Sequence, residues 1–88
     1  IRIYYTPGDR RRIVRVEGYR GVTLITAEEA AEGETGVYFV DDGVIHMTGS
    51  VLVTQGPNII TGDRLRVNVD TGEGVMEGNV RSIVENFD

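Results

Sequence analysis

The stretch from residue 46 to residue 56, HMTGSVLVTQG, is followed by a second stretch of the same design. Residues 75–87, VMEGNVRSIVENF, again place a methionine two positions before a glycine and a valine two positions after it. Four residues recur with a constant offset of 29: Asp41, Gly43, Met47 and Gly49 return as Asp70, Gly72, Met76 and Gly78. Repeats of roughly 20–50 residues are typical of stacked supersecondary units. We therefore expect one β-unit to occur twice.

A weaker similarity lies upstream of this repeat. Residues 25–28, ITAE, are similar to residues 60–63, ITGD, but their offset is 35. The difference between the two offsets predicts an insertion near residues 28–36.

Short runs rich in Val, Ile, Thr, Tyr and Phe alternate with frequent turn signals, which favours an all-β fold. The predicted strands are 2–6, 12–18, 21–27, 36–40, 43–49, 50–56, 58–62, 63–69, 74–78 and 79–85. Only residues 27–31, AEEAA, have a helical composition, and they are too few to form an independent helix. The run Leu65, Val67, Val69 has polar neighbours at every alternate position, as in an antiparallel strand with one buried face.

The composition is that of one small domain covering residues 1–88. The content of 40% hydrophobic and 26% charged residues is ordinary for a globular protein, and no apolar run reaches the length of about 18 residues that a membrane helix needs. Cys is absent, which excludes disulfides and thiolate metal sites. The sequence opens with IRIYY, a strand-like pattern without an initiating Met. We therefore expect a fragment of a longer chain.

The formal net charge of −5 is unevenly distributed. Residues 1–20 contain six Arg and two acids, whereas the remainder is strongly acidic. The run Arg10-Arg11-Arg12 follows Pro7-Gly8, which predicts a solvated hairpin turn, with an anion-binding patch as the alternative. The acidic remainder argues against nucleic acid as a partner.

Candidate catalytic residues are few. His46 is the single histidine, and without Cys or a second His it has no metal-binding partner. We expect it to face outward. Asp41 and Asp42 are adjacent on a predicted turn, so their carboxylates point apart, and we interpret them as turn residues rather than a glycosidase pair. The sequence therefore predicts no catalytic site, no metal site and no cofactor.

Three segments together resemble the OstA-like/LptA family of lipopolysaccharide-transport proteins. They are residues 47–56 (MTGSVLVTQG), 58–65 (NIITGDRL) and 70–78, which start with DTG and end with MEG. Residues 26–30 (TAEEA) and 36–38 (GVY) are similar to alphaproteobacterial members in particular. The similarity is strongest over residues 22–82.

This resemblance implies an open β-jelly roll in which two antiparallel sheets face each other in a V. It further implies a non-enzymatic periplasmic module, here the C-terminal part of a longer chain, that holds the lipid A acyl chains of lipopolysaccharide between the sheets. The implied partners are LptC-like and LptD-like proteins and further copies joined head to tail. Three alternatives stay open: a periplasmic domain of LptC or the LptD N-terminal domain, a structural β-solenoid that polymerises without lipid, and a jelly-roll enzyme acting on carbohydrate. The missing acid/base set disfavours the last.

The alternation and the 29-residue repeat predict which side chains line the groove between the sheets. They are Val16, Leu24, Tyr38, Val40, Ile45, Met47, Val51, Val53, Leu65, Val67, Val69 and Met76. Unpaired strand edges are expected near residues 2–6 and 79–85. The edge residues predicted to mediate assembly are Ile3, Tyr5, Val80, Ser82 and Val84.

Overall fold

The computed structural model describes residues 1–8, 10–26 and 29–84. This part of the chain contains nine strands and no helix, and hence no helix that could span a membrane. The strands are β1 (Arg2–Tyr5), β2 (Ile13–Gly18), β3 (Val22–Ile25), β4 (Glu29–Gly33), β5 (Thr35–Phe39), β6 (Val44–Gln55), β7 (Asn58–Asn68), β8 (Gly74–Glu77) and β9 (Arg81–Val84). Every pairing between them is antiparallel.

The strands form one continuous sheet in which the two longest strands are central. β6 pairs with β5 through residues 44–48 and with β4 through residues 52–55, and β7 lies along its other side. β7 in turn pairs with β8 and with β9. Three long strands are therefore each interrupted midway: β2 continues as β3, β4 as β5, and β8 as β9. With β6 and β7 they form an antiparallel meander.

The interruptions align into a corner that divides the sheet into two arms. At this corner the N–H groups of Gly21, Glu34 and Asp63 donate to the carbonyls of Glu34, Gly49 and Gly78 over 2.8–3.0 Å. β6 passes the corner by a bulge, since Gly49 and Ser50 both stand opposite Asp63. Bulges bend a strand and increase its twist. The first arm contains β1, β2, β5, residues 44–48, residues 64–68 and β8, and the second arm contains β3, β4, residues 51–55, residues 58–62 and β9.

The strand registers confirm that the 29-residue repeat is structural. Tyr38 pairs with Ile45, and one repeat later Val67 pairs with Gly74. In the second arm, Ala31 pairs with Val53 and Ile60 pairs with Ser82. The bulge also recurs, because Gly49 and Ser50 have φ values of 87° and 45° and Gly78 and Asn79 have 78° and 49°. Residues 29–55 and 58–84 thus repeat one design.

The hydrophobic core lies where the two arms meet at the corner. Met47 and Val51 are fully buried there, together with Ala31, Val53 and Leu65. Met47 belongs to the first arm but its Cε lies 3.4 Å from where a Cβ on Gly33 would be, which brings the two arms together. The result is a curled half-barrel.

This architecture confirms the predicted all-β fold of the open jelly-roll kind, although the two facing sheets are arms of one sheet. Three details differ. The predicted strands 43–49 and 50–56 form one strand, as do 58–62 and 63–69, because the bulge bends the pairing without ending it. Residues 29–33 form β4, held by pairing on both sides, so tertiary pairing overrides the helical composition of the AEEAA segment. The predicted insertion is wrong, since the offset of the repeat holds from Glu29 onward.

Candidate functional site

The concave side of the half-barrel is an open groove of about 1000 Å³. Its first-arm wall includes Ile45, Leu65, Val67 and Met76, and its second-arm wall includes Leu24, Ala31, Val53, Ile60 and Ser82. Cross-strand pairing places these side chains in rows, because Leu24, Ala31, Val53 and Ile60 are successive partners. The register of the sheet therefore builds the apolar wall.

The two methionines pack at the corner, Met47 in the core beneath the groove and Met76 in the groove lining. Met47 fills the space above Gly33 and Gly36, and Met76 lies over Gly62, so close that a Cβ on Gly62 would be 2.7 Å from the Met76 Sδ. Met47 and Met76 are equivalent positions of the repeat, and so are Gly33 and Gly62. Each methionine of the repeat thus packs on a glycine of the preceding strand at the corner.

Apart from Ser82 in the second-arm wall, the polar side chains that line the groove lie toward its rims. On the second-arm rim, the Gln55 Nε2 donates to the Glu29 Oε1 over 3.0 Å. On the first-arm rim, the Asn68 Oδ1 accepts from the backbone N–H groups of Asp70 and Thr71 at 2.9 and 3.2 Å, which orders the β7–β8 turn. Among the described side chains that line the groove, Glu29 is the single ionisable one. Such a surface offers burial to an apolar ligand.

The predicted groove residues fall into three groups. Seven line the groove: Leu24, Ile45, Val53, Leu65, Val67, Val69 and Met76. Met47 and Val51 lie beneath it in the core. Val16 and Tyr38 are half-buried in the same cross-strand row as Ile45, and Val40 lies in the β5–β6 turn, where its N–H donates to the Val14 carbonyl over 3.0 Å.

Four apolar lining residues were absent from the predicted groove set: Ala31, Ile60, Val75 and Val80. For Ile60 and Ala31 the absence has a structural reason. The alternation of Leu65 and Val67, extended toward the start of β7, predicts that Ile59 faces the groove. Ile60 faces it instead, because two successive residues between Gly62 and Leu65 separate inward positions at the corner and so shift the alternation by one residue. Ala31 lies in the segment assigned a helical composition. The signal that identifies both is the repeat itself, since Ala31 and Ile60 are equivalent positions within it.

The predicted assembly residues lie at both ends of the sheet. Ile3 and Tyr5 are exposed on β1, which pairs only with β2 among the described strands. Val84 ends β9, which pairs only with β7. Val80 immediately precedes β9, and both Val80 and Ser82 line the groove as well. A substitution at Ser82 would therefore disturb the groove together with the edge.

The candidate polar residues lie away from the groove. His46 is exposed on the outer face of the first arm, as predicted, with its ring perpendicular to Phe39 at 5.6 Å. Asp41 and Asp42 lie in the predicted turn, and Asp41 forms an ion pair with Arg12. That pair raises the pKa of the Arg12 guanidinium. In the described ranges, no group of three or more His, Asp or Glu side chains is placed to hold a metal ion.

Comparison with known proteins matches the chain to a protein family. A family model described as LptA/(LptD N-terminal domain) LPS transport protein matches residues 1–73, which is most of the chain. No curated protein and no solved structure matches. The match covers β1 to β7 and extends through the β7–β8 turn.

Proposed function

The chain belongs to the LptA/LptD N-terminal family of lipopolysaccharide-transport proteins, and from this premise we propose that its groove binds lipid A acyl chains. In this proposal the protein is a non-enzymatic module of the periplasmic bridge that carries lipopolysaccharide from the inner to the outer membrane. The open groove between the two arms holds the acyl chains, and the polar headgroup projects beyond the rims.

The observation that carries the proposal is the apolar, open groove of about 1000 Å³. This volume is at the upper end of the range for ligand pockets, roughly 300–1000 Å³. Burying acyl methylenes contributes about 0.8 kcal/mol each, so affinity requires no hydrogen bond inside the groove. Because the groove is open along its length, a chain can enter and leave sideways, which transport requires.

The strand edges support partners at both ends of the sheet. Among the described strands, β1, β3, β8 and β9 each pair on one side only. A free edge presents unpaired N–H and C=O groups that another strand can bind. We propose that LptC-like and LptD-like proteins, and further copies head to tail, extend the sheet at these edges and so continue the groove.

Lipid binding is tested with paired substitutions on neighbouring residues. Ile45 and Leu24 line the groove from opposite arms, whereas their neighbours His46 and Thr23 face outward. We expect Ile45→Glu and Leu24→Glu to reduce lipopolysaccharide binding at least about 10-fold, because a carboxylate in the groove must lose its hydration. His46→Glu and Thr23→Glu are the matched controls and should bind as the unmodified chain does.

The measurement is the amount of purified lipopolysaccharide bound per chain, with thermal unfolding as the check on folding. Equal binding by all four variants would place the lipid elsewhere. Assembly without any bound lipid in the unmodified protein would support the structural polymer instead.

A further inference from the structure

The two outermost strands of the first arm, β1 and β8, run in opposite directions. β1 starts near the corner and runs to the far end of the arm, whereas β8 starts at the far end and runs to the corner. Each pairs on one side only among the described strands. When β8 of one copy lies beside β1 of a second copy in the same orientation, the two strands are therefore antiparallel, like every other pair in the sheet.

These two edge strands carry opposite charge. β1 has one charged side chain, Arg2, which forms no ion pair with any other described residue. β8 ends at Glu77 and is preceded by Glu73, and strand alternation puts both carboxylates on the same face. Both are exposed, and Arg64 approaches Glu77 from the β7 side, at 3.9 Å. One free edge of the first arm is thus basic and the other is acidic.

The loops next to these strands have the same signs. Residues 7–12, which follow β1, hold three Arg and one Asp, whereas residues 69–73, which precede β8, hold two acids and no base. Within one copy, Arg12 already forms an ion pair with Asp41 of the neighbouring β5–β6 turn. The β1–β2 loop is therefore able to bind an acidic turn that lies beside it.

Resting on the proposed function, in which copies join head to tail, we propose which edges meet and what selects them. The joint is formed by β8 of one copy and β1 of the next, in the first arm alone, and the opposite charges of the two strands select it. In the second arm, β9 of one copy and β3 of the next lie two strand spacings apart, about 10 Å. They do not pair, because the described strands lie six abreast in the first arm and five abreast in the second.

The inward row of the first arm continues across this joint when the corners of the two copies coincide. Val16 to Val67 and Gly74 form one cross-strand row in each copy, and Ile3 of the next copy follows Gly74 in it. Ile3 is 45% exposed in the single chain. Because Gly74 has no side chain, Ile3 can pack over it toward Val67, whose Cγ2 is 3.9 Å from where a Cβ on Gly74 would be.

The same register pairs the charges. Arg2 of the next copy stands opposite Val75, because Arg2 and Val75 end the same cross-strand row. Glu73 and Glu77 are then its two diagonal neighbours, roughly 7–8 Å away between backbones, a distance that a long side chain spans. Arg2 therefore lies between two carboxylates of the other copy.

The charges also disfavour the two joints between like strands. Two β1 strands bring two copies of Arg2 together, and two β8 strands bring two copies of the Glu73 and Glu77 pair together. Like charges across neighbouring strands destabilise their pairing. A two-fold joint also turns one copy end for end, so the corners and the grooves no longer align. The unlike edges thus make growth of the sheet directional.

The size of the joint sets its strength. β1 and β8 have four residues each, far fewer than the roughly 20–30 residues per side of a stable interface. We therefore expect weak, reversible association at high protein concentration, in which charge decides between the possible joints.

The test reverses the charge of each edge separately. Arg2→Glu makes both edges acidic, and Glu73→Arg with Glu77→Arg makes both basic, so each variant alone should associate about 5- to 10-fold more weakly than the unmodified chain. An equimolar mixture of the two variants has opposite charges at every joint and should return to within about 3-fold of the unmodified level. Arg81→Glu, on the second-arm edge strand β9, is the control and should have little effect. Sedimentation equilibrium up to millimolar concentration measures association, and thermal unfolding checks that each variant is folded.

Lipopolysaccharide bound per chain separates this proposal from the one on which it rests. None of the four substituted side chains lines the groove, so the variants should bind as much lipid as the unmodified chain does. An unmodified chain that binds no lipid would contradict the groove and leave the charge test of the joint intact.

Three outcomes would overturn the proposal. One is an unmodified chain that stays monomeric at millimolar concentration. Another is a mixture that associates no better than its two components, which would mean that the two strands do not meet. The third is association that resists both reversals on the first arm but is lost in Arg81→Glu, which would place the joint in the second arm.

Discussion

Glu17 is held by three side chains on the outer face of the first arm. The Tyr19 and Tyr4 hydroxyls both donate to its Oε1, the Tyr4 bond being 3.4 Å long, and the Arg15 Nε lies 3.0 Å from its Oε2. The Arg15 guanidinium also stacks over the Tyr4 ring at 4.1 Å. The hydrogen bond from Tyr19, followed by the charge of Arg15, lowers the pKa of Glu17. The cluster thereby ties β1 to β2 through the charged form of one carboxylate.

We predict that NMR titration finds the Glu17 pKa below the usual value of about 4.3, and that Tyr19→Phe raises it. Tyr4→Phe should raise it less, because its bond contributes less to the shift. Since the folded pKa is the lower one, the stabilisation is present above the unfolded pKa and is lost as the pH falls through the folded value. An unchanged Glu17 pKa in Tyr19→Phe would show that Tyr19 does not stabilise the carboxylate.

Gly62 is a position where a single methyl group should be costly. A Cβ there would lie 2.7 Å from the Met76 Sδ, although the backbone at Gly62 is not in the positive-φ region. We predict that Gly62→Ala destabilises the fold by about 1–3 kcal/mol, the usual cost of overpacking. In a Met76→Ala background the same change should cost much less, because the clashing side chain is gone. Gly74→Ala, whose Cβ would meet nothing closer than 3.5 Å, is the control in chemical denaturation.

At the level of single strands, the sequence predicts which side chains within an arm face inward and which face outward, but it does not predict the corner between the two arms. Leu65 and Val67 face the groove wall and Arg66 faces outward, as the polar–apolar pattern of β7 indicates. β4 was not predicted, because its residues Glu29 to Gly33 have no strand preference of their own and depend on β3 and β6 for pairing. The inward position of Ile60 was also not predicted. The alternation shifts by one residue at the corner, and the place of the corner depends on residues of the neighbouring strands, which the pattern of one strand does not reveal.

Ser50 provides a prediction at the level of the β6 bulge. Its φ of 45° is unfavourable for a residue with a side chain, and its repeat equivalent is Asn79, a type that tolerates this region better. We predict that Ser50→Gly stabilises the fold by up to about 1 kcal/mol, because relief of backbone strain exceeds the added chain entropy. Thr54→Gly, in the regular part of the same strand, should instead destabilise by about 0.5–1 kcal/mol. Urea unfolding of both variants compares them, and destabilisation by both would mean that the bulge is not strained at Ser50.

At the scale of the whole molecule, the repeat determines how the sheet can grow. β8 and β9 are the repeat equivalents of the two halves of β6. The edge of β8 and β9 that faces away from β7 is therefore equivalent to the edge of β6 that pairs with β7, including the corner at Gly78 and Asn79. In β7, Asp63 stands opposite the two bulge residues Gly49 and Ser50. A strand that extends the sheet across both arms must likewise place one residue opposite two.

This equivalence predicts that the protein accepts an additional repeat. A second copy of residues 44–72 inserted after Gly72 preserves every junction, because Gly43 and Gly72 are equivalent positions of the repeat. The inserted Gly49 then meets the original Asp63, as the original Gly49 meets Glu34. The sheet should gain two long strands and the groove about 10 Å of length. Because each repeat contacts only its neighbours, the added interface should leave the melting temperature unchanged or raise it.

The control is the same insertion without its Gly49, which removes one bulge residue. That deletion shifts the side-chain phase of the inserted strand beyond the corner and turns its second-arm apolar residues to the wrong face. Thermal unfolding by circular dichroism and the amount of lipopolysaccharide bound per chain measure both versions. The complete insertion should unfold cooperatively and bind at least as much lipid as the unmodified chain, whereas the shortened one should lose stability. A continuous apolar wall requires that every repeat keeps the same register, so the insertion that is one residue short should break the wall. If the two insertions have the same stability and bind the same amount of lipid, the groove does not depend on the register of the repeat.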